Sequence, residues 1–107
     1  MGIIYESELK VLTILWDEGS IRAKDLTEKL NASTGWQQST AYTVIKKCIN
    51  KGLVERCEDD PSICRALITR KEAQAREVKV LVDKMFGGVT SLLLNWLQDE
   101  EGEIYDD

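Results

Sequence analysis

Histidine is absent from this 107-residue chain, and cysteine, proline and aromatic residues are scarce. Without histidine, a histidine-based catalytic triad, a histidine general base and most catalytic zinc sites are excluded. The three cysteines are an odd number, which argues against a disulfide framework. No apolar run reaches the roughly 18 residues that a membrane-spanning helix needs. We therefore expect a protein that is not an enzyme and that carries no cofactor or metal.

The N-terminal stretch MGIIYESELK has no basic residues ahead of its apolar ones, which is unlike a signal peptide. We therefore expect a cytoplasmic protein. The length corresponds to one domain, or to one small domain with an appendage, and an apolar fraction of 43% is enough for a modest core.

The charge is unevenly distributed along the chain. The formal net charge is −5, yet residues 99–107 alone hold six acidic residues and no basic one. Residues 20–57 hold seven basic and three acidic residues, a local charge of +4. Phosphate binding depends on the local field rather than on the total charge. The acidic total therefore does not exclude DNA as a ligand.

The spacing of apolar residues predicts five helices and a β-hairpin. Two helices lie in ESELKVLTILWDEG and AKDLTEKL, and the polar stretch NASTGWQQ predicts a turn. A third helix runs from about Gln38 to Lys51. The runs LVERCE and ICRALIT predict the two strands of a hairpin around the turn DDPS. A fourth helix starts at a capping box of Thr69 and Glu72, and a fifth lies in VTSLLLNWLQDE.

This order of elements is that of a winged helix-turn-helix, in which the third helix enters the major groove and the hairpin forms the wing. The predicted fold is mainly α with a small β-wing. Residues 1–69 are assigned to the winged helix-turn-helix and residues 70–98 to a two-helix dimerisation region. Residues 99–107 are assigned to an acidic disordered tail, because their composition is polar and of one charge sign.

The third helix has the residue types that reading DNA requires. Base edges need hydrogen-bonding side chains, and phosphates need cations or helix N-terminal amides. Base or sugar contacts are assigned to Ser39, Tyr42, Thr43 and Lys46. Phosphate contacts are assigned to Gln38, Thr40, Lys47, Lys51, Arg56 and, from the wing, Arg65. The alternative is a winged-helix module that binds another protein, since the fold alone does not settle the function.

Four stretches of the chain resemble the penicillinase-repressor family (the BlaI/MecI type, with its copper-responsive CopY-type relatives). They are ELKVLTILWDEG, GWQQSTAYTVIKKCINKGLVER, CRALITRKEAQ and VDKMFGGVTSLLLNWL. The resemblance implies a homodimeric transcriptional repressor on double-stranded DNA. Its operator would be an inverted repeat, typically with TACA and TGTA half-sites, and its C-terminal helices would join the two chains.

The fourth and fifth helices carry more apolar surface than one small domain easily covers, and a two-fold interface is the usual solution. The alternative is that both helices fold back on their own domain. The residues assigned to the dimer interface are Val78, Leu81, Val82, Met85, Phe86, Leu92, Leu93, Trp96 and Leu97.

The resemblance also implies how the repressor is released. In the antibiotic-responsive branch of the family, a membrane sensor leads to cleavage at an Asn-Phe bond in the C-terminal region. Asn95-Trp96 occupies the matching position here, with Trp in place of Phe. The copper-responsive branch has cysteine pairs near its C-terminus, whereas no cysteine follows residue 64 here. Cys57 and Cys64 flank the wing turn and could face each other, with packing as the preferred interpretation.

Overall fold

The structure, a computed structural model, describes the backbone of residues 3–106 and the side chains of residues 3–99. It is mostly helical, with one three-stranded antiparallel sheet, which confirms the predicted fold class. The elements in chain order are α1 (Glu6–Glu18), β1 (Ile21–Arg22), α2 (Ala23–Thr34), α3 (Gln38–Asn50), β2 (Val54–Cys57), β3 (Ile63–Ala66), α4 (Arg70–Met85) and α5 (Thr90–Asp106).

The chain divides into two compact units, Met1–Ala73 and Gln74–Asp107. The core of the first unit lies among the apolar faces of three helices, and each helix contributes side chains three or four residues apart. Burying one large apolar side chain contributes about 1.5–3 kcal/mol, so this cluster is the main source of stability in the unit. Its members from these three helices are Val11, Leu12 and Leu15 from α1, Ala23, Leu26 and Leu30 from α2, and Ala41, Val44, Ile45 and Cys48 from α3.

α2 is longer than the sequence predicted. The polar stretch after Leu30 was assigned to a turn, whereas the helix runs to Thr34. Thr34 Oγ1 donates a hydrogen bond to the Leu30 carbonyl at 2.6 Å, so the polar side chain is accommodated within the last helical turn. Gly35 ends the helix with φ 78°, a left-handed conformation that costs glycine little.

The wing is the hairpin of β2 and β3, and β1 adds a short third strand on the far side of β3. At the end of α3, Gly52 has φ 77°. This turn brings the Leu53 N–H to the Cys48 carbonyl at 2.9 Å, a typical close to a helix. The chain therefore passes from α3 into β2 within a few residues.

Trp16 connects α1 to the segment that follows the wing. Its indole N–H donates to the Ile68 carbonyl at 2.8 Å, and the Arg70 guanidinium lies 5.3 Å from the ring centroid. Arg70 also pairs with Asp17 at 2.8 Å. Just beyond, the Thr69 hydroxyl accepts the Glu72 N–H and the Glu72 carboxylate accepts the Thr69 N–H, each at 3.0 Å. The predicted capping box at the start of α4 is thus present.

The second unit contains most of α4 and all of α5. The helical backbone of α5 continues to Asp106, through most of the segment that was assigned to a disordered tail. No proline interrupts residues 90–106, and glutamate has good helix propensity, so the local sequence permits this extension. Among the described residues, no single helix is long and apolar enough to cross a membrane. Only α4 and residues 90–99 together, bent by 89°, reach that length and composition.

The three cysteines form no disulfide with one another. Cys57 is opposite Ile63 and Cys64 is opposite Arg56, so Cys57 and Cys64 do not face each other across the wing as the sequence had allowed. Cys57 is exposed, whereas Cys48 and Cys64 are buried. Burial, and to a smaller extent the Glu8 carboxylate, raises the pKa of the Cys48 thiol to about 12. Burial also raises the pKa of the Cys64 thiol.

These positions predict how the thiols react with a thiol-specific reagent at pH 8. Cys57 is expected to react rapidly, while Cys48 and Cys64 stay protonated and shielded until the protein unfolds. The measurement is the number of thiols modified per chain over time, with and without denaturant. The Cys57→Ser variant is the control and should show no rapid phase. Rapid reaction of more than one thiol in the folded protein would contradict the structure.

Candidate nucleic-acid interface

α3 turns one face to the core and the other to solvent. Its buried stripe consists of Ala41, Val44, Ile45 and Cys48. The side chains on the opposite surface are polar or basic, and all are exposed. The structure thereby places six of the ten residues predicted to contact DNA on the accessible surface of one helix: Gln38, Ser39, Thr40, Thr43, Lys46 and Lys47.

The chemistry of this surface suits both bases and phosphates. Thr43 Oγ1 donates to the Ser39 carbonyl at 2.9 Å, so its hydroxyl is left to accept hydrogen bonds and its methyl group can contact a thymine methyl. Lys46 and Lys47 form no ion pair with any of the described side chains. Their ammonium groups are therefore available to an external anion.

The start of α3 offers backbone donors. Gln37 is the N-cap residue, and its side chain makes no capping hydrogen bond. Uncapped amides at a helix N-terminus carry partial positive charge and favour a phosphate. Lys24 of α2 and Gln38 line the same groove beside this helix end, together with Glu28, so the groove carries one charge of each sign. Sequence reasoning missed Lys24, because its place next to α3 depends on how the two helices pack.

Tyr42 and Arg56 meet where α3 joins the wing. The Tyr42 ring is half-buried against the core, and the Arg56 guanidinium lies 5.5 Å from the ring centroid. Arg56 Nε donates to Ser62 Oγ at 2.7 Å and lies 3.7 Å from the Glu58 carboxylate. Arg56 is therefore held in place and partly neutralised, which the sequence did not predict.

The wing is less basic than its two arginines suggest. Arg65 of β3 pairs with Glu55, which lies directly opposite it on β2. The turn between the strands presents three adjacent and exposed acidic side chains, Glu58, Asp59 and Asp60. Each cation of the wing thus has a carboxylate neighbour, and the tip of the wing is negative.

Lys51 differs from the other predicted contacts, because its ammonium group lies against its own unit. Lys51 Nζ is 2.8 Å from the Glu8 carboxylate and donates to the Ile3 carbonyl at 2.9 Å. It also lies 4.2 Å from the Tyr5 ring centroid. Glu8 is fully buried. Sequence reasoning did not identify Glu8, because an acidic residue in the first turn of a helix is usually solvated.

The apolar residues predicted at the dimer interface divide by exposure. Val82 and Leu93 are buried, and Phe86 is half-buried. The remaining residues are exposed, by as much as 64% at Met85, and an apolar surface of this kind often marks an interaction site. The exposed residues are Val78, Leu81, Met85, Leu92, Trp96 and Leu97. Asn95 is also exposed, so both side chains of the candidate cleavage bond are accessible within α5.

Comparison with solved structures supports the winged-helix fold. The solution structure of the DNA-binding domain of the repressor BlaI aligns with a TM-score of 0.58 and 21% identity, covering 67% of this chain and 93% of that domain. A MarR family transcriptional regulator from Silicibacter pomeroyi DSS aligns with a TM-score of 0.51 and 20% identity, covering 95% of this chain and 69% of that protein. These likenesses show the fold.

Sequence comparison identifies the family. The methicillin resistance regulatory protein MecI of Mammaliicoccus sciuri is 25% identical over 100 residues, which cover 92% of this chain and 81% of that protein. MecI of Staphylococcus aureus strain N315 matches to the same extent. The model of the penicillinase repressor family matches residues 4–106. With the winged helix in place and the match covering nearly the whole sequence, this chain belongs to the penicillinase repressor family of DNA-binding transcriptional regulators.

Proposed function

We propose that this chain is a homodimeric repressor that binds an inverted-repeat operator with α3 in the major groove. The observation that carries the proposal is the exposed polar face of α3, held outward by a fully buried apolar stripe. Ser39, Thr43 and Lys46 are proposed to contact base edges or sugars, together with the Tyr42 hydroxyl. Gln38, Thr40 and Lys47 are proposed to contact phosphates, with a weaker contribution from Arg56 and Arg65 of the wing.

Family membership supports a DNA operator as the ligand. The matched relatives include a DNA-binding domain of a repressor and regulatory proteins of methicillin resistance. An operator of TACA and TGTA half-sites is proposed on the family resemblance. A repressor of this type acts where the chromosome is, in keeping with the cytoplasmic location predicted from the sequence.

Replacing Thr43 or Lys46 by Ala is expected to weaken binding to the inverted repeat by about 1–3 kcal/mol each, because each removes a contact to a base. Random DNA should be affected much less by Thr43→Ala. The measurement is a gel shift over a salt series with both duplexes, and log affinity should fall steeply with log salt. Lys10→Ala removes one exposed positive charge from α1 instead of α3 and serves as the control.

Two outcomes would contradict this assignment of residues. Equal losses on specific and random DNA would mean that Thr43 and Lys46 touch only the backbone. If the protein binds neither duplex even at low salt, the result would favour a winged-helix module that recognises another protein.

The second unit is proposed to hold two chains together. Eight large apolar side chains of α4 and α5 are exposed in the described part of this single chain, six of them among the residues predicted at the dimer interface. A two-fold interface can cover such a surface with its own copy, since the same patch meets itself. A symmetric pair of winged helices would in turn match the symmetry of an inverted repeat.

Leu81→Glu is expected to raise the dissociation constant of the dimer roughly thirtyfold or more, about 2 kcal/mol, because it places a charge in an apolar contact. Sedimentation equilibrium measures this shift. Lys84→Glu changes the charge of an exposed position on the same helix and should have a smaller effect. Loss of affinity for the full operator, but not for a half-site, should accompany dissociation. A dimer unaffected by Leu81→Glu would place the interface elsewhere.

Release by proteolysis at Asn95-Trp96 is also proposed, with a membrane sensor-protease system as the partner. Cleavage there would separate Trp96 and Leu97, two of the exposed apolar residues, from the rest of the chain. The bond lies within a helix, so a protease that binds extended chains needs α5 to open locally.

A chain ending at Asn95 mimics the cleaved product. It is expected to sediment as a monomer at concentrations where the full chain is a dimer, and to lose most of its affinity for the inverted repeat. A chain ending at Asp99, which keeps Trp96 and Leu97, is the matched control and should remain dimeric. A dimeric chain 1–95 would show that cleavage at this bond cannot release the repressor.

A further inference from the structure

We infer that Glu8 and Lys51 form an internal brace that positions α3 for DNA recognition, and that Lys51 does not bind phosphate. The inference deepens the proposed function and rests on it. Glu8 belongs to α1, and Lys51 is the residue directly after α3. The sequence assigned Lys51 to the DNA backbone because of its charge and its place at the end of the helix.

The contacts of Lys51 are numerous and all internal. Its ammonium group pairs with the Glu8 carboxylate at 2.8 Å and donates to the Ile3 carbonyl at 2.9 Å. It also lies over the Tyr5 ring, 4.2 Å from the centroid, where a cation is attracted to the aromatic face. Two of the three ammonium N–H donors and a ring contact are thus used inside the protein, and only 27% of the side chain is exposed, so a phosphate would have to compete with these contacts.

Glutamate is common at the third position of a helix, where it accepts the N-cap N–H as Glu8 does here, but the burial of Glu8 is unusual. It is fully buried, and its Oε1 atom accepts hydrogen bonds from Lys51 Nζ and from the Tyr5 N–H, each at 2.8 Å. Its Oε2 atom is also buried and has no hydrogen-bond partner among the described residues. A half-satisfied buried carboxylate is a poor device for stability, because an apolar pair of similar volume is often as stable. The burial of Glu8 is better explained if its pairing with Lys51 selects one position of the end of α3 relative to α1.

The brace acts on the C-terminal end of α3, next to Lys46 and Lys47, whereas the other proposed DNA contacts of α3 lie in the first half of the helix. The Lys51 N–H donates to the Lys47 carbonyl at 3.1 Å, so the last turn is tied directly to Lys51. Lys46 and Lys47 project from that turn. Through Ile3 and Tyr5, the same ammonium group also fixes the segment before α1. A binding residue must be held within about half an ångström of its productive position, so loss of the brace should affect recognition.

The test compares Glu8→Met/Lys51→Met with its two single variants and with Lys47→Met as the matched control. Each single variant should be less stable to heat. Lys51→Met leaves the buried Glu8 carboxylate without its partner, and Glu8→Met leaves the partly exposed Lys51 ammonium without its own. The double variant should recover most of that stability. The affinity of the double variant for the inverted repeat should still fall roughly tenfold. Its affinity for random DNA should stay unchanged, and so should its salt slope, which is the slope of log affinity against log salt concentration. Lys47→Met should lower the salt slope by about one.

Glu8→Asp provides a second route if the double variant does not fold. It keeps both charges and shortens the reach of the carboxylate by one methylene group. It is expected to lower the ratio of specific to random affinity severalfold without changing the salt slope. The positive charge of Lys51 is kept in this variant, so any effect on DNA comes from position rather than from lost charge.

Two results would overturn the inference while leaving the proposed function intact. One is a salt slope that falls by about one in the double variant, as for Lys47→Met, since Lys51 would then be a phosphate ligand. The other is an unchanged ratio of specific to random affinity in a folded double variant or in Glu8→Asp. A wild-type protein without salt-sensitive binding to the inverted repeat would instead overturn the proposed function, and the inference with it.

Discussion

The buried stripe of α3 is the constraint on which the rest of the first unit depends. Its small and medium-sized apolar side chains pack against α1 and α2, and they fix the rotation of the helix about its own axis. A rotation of α3 that exposed Ile45 or Cys48 would also bury Lys46 or Lys47. Exposing the apolar side chain and burying the charged one would both lower the free energy of unfolding. The packing of the core therefore decides which side chains can meet DNA.

The cations of the first unit serve different purposes, although the sequence makes them look alike. Lys46 and Lys47 have no ion-pair partner among the described residues, whereas Arg56 and Arg65 each have a carboxylate beside them. Lys51 faces inward. The field at the surface of α3 therefore comes from fewer cations than the seven basic residues between positions 20 and 57 suggest. Counting charges overestimates the cations that a phosphate can reach.

Much of the fold could be predicted from the sequence, because its signals are local. The apolar spacing of α3 gave its bounds to within one residue, and the capping box at Thr69 marked the start of α4. The features that were missed depend on tertiary contacts. Glu8 is buried next to Lys51, which is 43 residues later in the sequence, and only the tertiary fold brings the two residues together. Cys57 and Cys64 are not cross-strand partners because of the register of the hairpin, which local sequence signals do not define. A register shifted by one residue would place Cys57 opposite Cys64.

The acidic tip of the wing has a consequence for the length of DNA that the protein covers. Glu58, Asp59 and Asp60 are exposed in the turn, and carboxylates placed next to phosphates are repelled at short range. A wing with such a tip favours contact through the base of the hairpin, near α3, and keeps its end away from the duplex. On the proposed inverted repeat, the nuclease footprint of each half-site would then be short, with the flanking nucleotides left open to cleavage.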